Sequence, residues 1–312
     1  MSRHAYLIMV HEHSASLLAL LDMLDDERND VFLHVDGKKH GVLKKISSLS
    51  LRKARLFVLP HPVSVYWGHT SQVKAEFLLM RTAAAAGRYD YYHLLSGNDL
   101  PVKTQDEIHR FFGRHRGTEF VGFWDDESHR RDVRRKVRYY YFFNRYKERA
   151  NPVLHSITSP IRNLLLGVQK LCGIDRQKHN PWEVKKGFNW FSITDECCRY
   201  LLSQETKVKR MFHYTLCPDE MFLQTVVWNS PFRSRLYDTE DAQTGSLRAI
   251  DWERGTPYIW RQTDVSALVE SPYLFARKFA SNDGETIEAL TKCLAARRSS
   301  SSPHPESIAT TD

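Results

Sequence analysis

Short apolar runs recur through the first hundred residues with helical runs between them, and this alternation limits the chain more than any other feature. Residues 5–10, 31–35, 56–59 and 91–95 are rich in Val, Leu, Phe and Tyr, whereas 15–24 and 71–86 read as helices. Repeated strand–helix–strand units predict an α/β fold, a mostly parallel sheet flanked by helices in a single domain. Ligands of such sheets sit beyond the carboxyl ends of the strands. His11, Asp36 and Asp99 each follow one of these strands and are therefore candidate site residues.

The 312 residues suffice for one large α/β domain, and 42% hydrophobic content is globular composition. No apolar run approaches the ~18 residues of a membrane span. Residues 1–10 read as a first buried strand, not as a leader, because the apolar stretch is short and no small-residue cleavage site follows. Five cysteines, two of them adjacent (Cys197 and Cys198), do not form a disulfide framework, so a reducing cytoplasm is the expected location. The net charge of +8 favours anionic partners: nucleic acid, anionic lipid or a phosphorylated small molecule.

Beyond residue 128 the pattern changes. Residues 129–149 interleave Arg130, Arg131, Arg134 and Arg135 with Tyr139, Tyr140, Tyr141 and Phe142. An amphipathic helix is expected over 157–171, a strand over 187–193, and helices over 195–203 and 218–228. The expected division is a donor-binding half over about 1–125, a basic aromatic insertion over about 128–180, a catalytic half over about 181–295, and a disordered Ser/Pro/Thr-rich tail at 296–312.

The run Cys217-Pro218-Asp219-Glu220-Met221 is the main chemical candidate. Proline suits a first helical turn, and acidic residues are favoured at a helix N-terminus. The arrangement projects a carboxylate from a rigid element, as a general base requires. An acidic first turn that only stabilises a surface helix has the same pattern.

The segment Ser96-Gly97-Asn98-Asp99-Leu100-Pro101-Val102-Lys103-Thr104 resembles the signature of core-2/I-branching β-1,6-N-acetylglucosaminyltransferases and peptide O-xylosyltransferases. Tyr66-Trp67-Gly68, Gly187-Phe188-Asn189-Trp190-Phe191, the stretch 218–231, Leu247-Arg248-Ala249-Ile250-Asp251-Trp252 and the stretch 271–279 resemble further blocks of that family in the same order. The resemblance implies a GT-A-like, inverting transferase that takes a sugar from UDP. It implies Glu220 as the base, with Asp219 beside it toward the acceptor, and Arg248 and Lys278 as a diphosphate clamp that replaces a metal. The sequence contains no Asp-x-Asp triplet. By the same resemblance, His11, Asp36, Trp67 and Asp99 line the nucleotide and donor sugar, and Trp190 offers an acceptor platform. Arg277 takes the place of Lys278 if the register shifts by one. Asp36 also suits an Asp-Gly turn, Asp99 a loop-shaping role, and either Trp the core.

The expected donor is UDP-N-acetylglucosamine, with UDP-xylose as the alternative, and no metal or other cofactor is expected. The expected acceptor is a glycan or lipid-linked glycan in surface or exopolysaccharide synthesis. The rival class is a non-catalytic glycan- or nucleic-acid-binding protein that uses Arg130 to Arg149. That segment also suits an acceptor-binding insertion, a solvated helix face, or peripheral contact with the anionic inner face of a membrane.

Overall fold

The apolar runs become strands, buried on both faces except over 55–58 at the sheet edge, because helices cover the sheet from either side. The protein is described here by a computed structural model covering residues 2–146 and 152–301. Its strands are β1 (His4–Val10), β2 (Asn29–Val35), β3 (Arg55–Val58), β4 (Tyr91–Ser96), β5 (Asp99–Pro101), β6 (Phe120–Val121), β7 (Phe191–Thr194), β8 (Arg248–Ile250) and β9 (Phe275–Arg277). The main sheet runs β3-β2-β1-β4-β7-β6, and β5-β9-β8 form a smaller second sheet. Strands β3, β2, β1 and β4 are mutually parallel, while β7 runs antiparallel to both β4 and β6.

Alternation along β1 divides the core. Tyr6, Ile8 and Val10 pack with Leu17, Leu20 and Leu21 of the helix Ala15–Met23 and with Phe275 of β9. Ala5 and Leu7 face the other way, toward Phe77 and Met80 of the helix Ser71–Ala86 and Phe222 beyond it. Each large side chain buried this way contributes about 1.5–3 kcal/mol. The strand order reverses between β1 and β4, so the crevice for a ligand opens beyond Val10 and Ser96.

Several expectations shift. The strand expected over 187–193 is only Phe191–Thr194. A Cβ on Gly187 would lie 1.8 Å from the Gly122 carbonyl oxygen, and one on Gly122 would lie 2.4 Å from that of Ala242. Backbones stack directly here, which leaves no room for ladder partners. The helix expected over 218–228 divides into a 3-10 turn, Pro218–Glu220, and an α-helix, Phe222–Trp228. The amphipathic helix begins earlier, at Pro152, and the last helix, Gly284–Ser301, continues into the expected tail. Residues 302–312 of that tail, and 147–151 of the basic insertion, lie outside the described residues.

Candidate functional site

The turn Pro218–Glu220 is held by its neighbours on three sides. Cys217 adopts a left-handed backbone (φ 50°), which reverses the chain just before Pro218. Its amide donates to the Gly68 carbonyl at 3.0 Å, and the Gly187 amide donates to the Glu220 carbonyl at 2.9 Å. A non-glycine residue with positive φ is uncommon, and such strain concentrates at sites where the surrounding structure holds it in place.

Glu220 presents one oxygen to two buried lysines. Its Oε2 lies 3.3 Å from Lys136 Nζ and 3.4 Å from Lys186 Nζ. Both ammoniums also contact Asp132, at 2.8 and 2.9 Å. Burial works against the charge of Lys136, but Glu220 and Asp132 outweigh it and hold the ammonium above its usual range. The same burial opposes ionisation of Asp132, yet Arg135, Lys136 and Lys186 keep its carboxyl well below the usual range. Glu220 Oε1 makes no hydrogen bond among the described residues, and 31% of the side chain remains exposed. A hydroxyl can therefore reach a carboxylate whose orientation is already fixed.

Asp219 turns the other way, into the protein. Gln72 donates to its Oδ2 at 2.9 Å and accepts from the Gly68 amide at 2.9 Å, so one amide ties the loop after Trp67 to the turn. Among the described residues, Oδ1 of Asp219 is buried without a hydrogen-bond partner. Burial, and then the Glu220 charge, push Asp219 up to about 7. The fully buried Glu76 is raised well above its usual value by burial first and Asp219 second, and the Asn189 amide nitrogen donates to it at 3.0 Å.

A raised carboxylate binds its proton more tightly when folded. Its contribution to stability is complete below its ordinary value near 3.8 and is lost as pH rises through about 7. Asp219→Asn is therefore expected to stabilise the fold by on the order of 2 kcal/mol at about pH 8, and far less near pH 4. Urea unfolding at the two pH values reads this difference. An equal loss of stability at both would refute the assignment.

Arg277 reaches back to the loop after β4. Its Nη1 donates to Ser96 Oγ at 2.6 Å and to Asp99 Oδ1 at 2.5 Å, and its guanidinium lies 4.3 Å from the centroid of the Trp190 ring. Asp99 Oδ2 also accepts from the Ser96 amide at 2.6 Å. Asp99 thus shapes the loop and anchors Arg277, and the guanidinium covers one face of Trp190. Lys278 is half-buried, and its ammonium has no ion pair or hydrogen bond among the described residues.

Arg248 departs from its expected role. It is 2% exposed and donates to the carbonyls of Ser246 (2.6 Å) and Phe191 (2.8 Å) and to Ser192 Oγ (3.1 Å), with its guanidinium 4.4 Å from the Phe275 ring centroid. Burial pulls the guanidinium down to about 9, with Asp99 acting in the opposite direction. The side chain is sealed between the two sheets, with both Nη donors engaged by protein acceptors.

The nucleotide-side candidates lie beyond β1 to β3. Asp36 Oδ1 accepts from the amides of Lys38 and Val65, both at 3.1 Å, and Oδ2 lies 3.2 Å from Lys38 Nζ, so Asp36 staples two loops. His11 is exposed, 3.6 Å from Glu12. Trp67 is 56% exposed. Tyr66 lies between two cations, with Lys38 Nζ 4.2 Å and the Arg145 guanidinium 4.7 Å from its ring centroid. Contacts therefore form two groups: Gln72 joins the loop after Trp67 to Asp219 and Glu220, and Arg277 joins Asp99 to Trp190. Asp36 is tied to the Tyr66 loop through Val65 and Lys38, and His11 is exposed beyond β1.

Two adjoining cavities, of about 470 and 710 Å³, share Trp124, Asp125, Arg130 and Lys185, and the larger meets the turn through Lys186. The larger reaches Lys186, and the smaller is walled by Phe188, Trp228 and Trp252. Trp124 stands between them, 4.8 Å from Phe188 and 6.4 Å from Trp252 by ring centroid. The sequence reading missed Trp124, Lys136, Lys186, Gln72 and Glu76. The signal for Lys136 was present: in the helix Glu127–Arg138 it shares the buried face with Val133 and Val137. The basic stretch is not one free surface, since Arg130, Arg134 and Arg135 pair with Asp125, Glu127 and Asp132. Among the described residues, no group of three His, Cys, Asp or Glu side chains is arranged to hold a metal.

Comparison with known proteins adds family evidence to this geometry. The family model described as "Branch: Core-2/I-Branching enzyme" matches residues 4–268. Xylosyltransferase 2 of Rattus norvegicus is 25% identical over 308 residues, covering 92% of this chain and 33% of that protein. Xylosyltransferase 1 of Homo sapiens is 24% identical over 296 residues, covering 89% of this chain and 29% of that protein. The chain spans about a third of the length of the curated relatives it matches. A crystal structure of mouse xyloside xylosyltransferase 1 in its apo form aligns with 92% of this chain and 99% of that one, at 13% identity and a TM-score of 0.38.

Proposed function

Because the chain belongs to the Core-2/I-branching enzyme family, a family of glycosyltransferases, we propose that it moves a sugar from a UDP-sugar to a glycan hydroxyl with inversion at the anomeric carbon. The observation that carries this reading is Glu220. Lys136 and Lys186 fix one carboxylate oxygen while the other is open, and Lys186 also lines the larger of two adjoining cavities. An attacking hydroxyl loses its proton to that open oxygen. Trp124, Phe188 and Trp252 suit an oligosaccharide acceptor, whose C–H faces pack on rings. A surface or exopolysaccharide chain is the acceptor class proposed.

The leaving diphosphate gains charge as the bond breaks, and fixed cations stabilise it. Lys278 is the cation proposed for this, in a reaction that needs no divalent metal. The absence of an Asp-x-Asp triplet supports that reading. Xylose and N-acetylglucosamine are the two donors proposed. The names of the curated relatives favour xylose, and so does Trp67, which resembles the ring that roofs the sugar in xylosyltransferase-like members. The block 271–279 favours N-acetylglucosamine. A panel of UDP-sugars with EDTA present tests both points, and UDP release from one donor is expected. Loss of turnover in EDTA would remove the metal-free clamp, and no UDP binding or release with any donor would remove the transferase reading.

A further inference from the structure

The helix Pro152–Leu171 is packed with its apolar side outward. At 3.6 residues per turn, Val153, Ile157, Ile161, Leu164, Val168 and Leu171 share an arc about 80° wide. All six are exposed, from 44% for Ile161 to 89% for Leu171. The side turned toward the protein carries buried Thr158 and Gln169 instead. Gln169 clamps the chain at Tyr140, accepting from its amide at 2.7 Å and donating to its carbonyl at 3.1 Å. A surface helix facing only water carries these two classes of residue the other way round.

The sequence on either side of the helix indicates what covers the stripe. Residues 125–179 hold thirteen Lys or Arg and six Asp or Glu, which is seven of the chain's eight excess positive charges. The helix itself carries Arg162 and Lys170 and no acidic residue. Tyr140, Phe143 and Tyr214 are exposed beside it, with the Tyr140 and Tyr214 rings 5.6 Å apart. An apolar arc, tyrosines with polar tips and concentrated positive charge together match a helix lying in the plane of a bilayer interface. No helix among the described residues is long and apolar enough to cross a membrane.

We infer that this face rests on a bilayer containing anionic lipid, with the helix lying along the headgroup boundary. A second copy of the chain is a poorer occupant. Pairing the stripe with itself would bring two positive surfaces together, whereas anionic headgroups neutralise them.

Flotation of the full chain with vesicles tests the inference, comparing phosphatidylcholine alone with phosphatidylcholine containing about 30% phosphatidylglycerol. Binding to the anionic vesicles is expected, weakening as salt is raised. The double variant Ile161→Glu/Leu164→Glu is expected to bind at least about tenfold more weakly, since it removes two apolar side chains from the interface. Both residues face solvent, so the circular dichroism spectrum and Tm should not change. Failure to float with anionic vesicles overturns the inference, as does a double variant that floats like the parent. A dimer in sedimentation that the double variant converts to monomer, with no vesicle binding, assigns the stripe to a second copy instead.

Discussion

Replacing Glu220 with Gln is expected to slow sugar transfer by about 10²–10⁴-fold while leaving UDP binding intact. The substitution keeps the size and shape of the side chain but removes the basic oxygen. Lys136 and Lys186 retain Asp132 as a counter-charge, so the buried cations are not stranded. UDP release with each donor, UDP affinity by calorimetry and Tm separate chemistry from binding and folding. Asp219→Asn serves as the control, because Asp219 points at Gln72 and away from the open side of the turn. A Glu220→Gln enzyme within tenfold of the parent rate would move the base elsewhere.

The second large effect separates the two basic residues assigned to the diphosphate. Arg248→Ala is expected to cost on the order of 3 kcal/mol of stability, because it leaves a cavity and strips donors from the buried carbonyls of Ser246 and Phe191. Lys278→Ala is expected to change stability by less than about 0.5 kcal/mol, as for other substitutions that break no packing or network. It should lower turnover about 10²–10³-fold if its ammonium meets the departing diphosphate. Chemical denaturation reads the first effect, and kinetics with UDP binding read the second. An Arg248→Ala protein that folds normally but no longer binds UDP would reverse the assignment.

What was legible in the sequence follows from how locally each feature is determined. The helix Ser71–Ala86 is legible from its run of helix-forming residues up to Gly87, and the parallel strands from continuous apolar runs. The helix Gln105–Arg114 was not anticipated, although Thr104 and Glu107 form a capping box that the Thr-x-x-Glu spacing announces. The turn carrying Glu220 reads in the sequence as the start of a helix over 218–228, but its break at Met221 is hidden there, since it depends on contacts from Gly68 and Gly187. Arg248 shows the limit most clearly. A lone arginine in an apolar strand has the same letters whether it faces a ligand or is sealed between sheets, and only the packing of β7, β8 and β9 decides. The square of Asp132, Lys136, Lys186 and Glu220 joins three separate segments, and no spacing along the chain encodes it.

Gln72 holds the backbone after Trp67 with its oxygen and the turn carrying Glu220 with its nitrogen, and the Cys217 amide fastens the same two segments again. Mechanically these are one lever with two ends. Under the proposed function, a shift of the Trp67 loop on donor binding would reach Glu220 through this linkage, so that the two substrates would be coupled through one pair of loops.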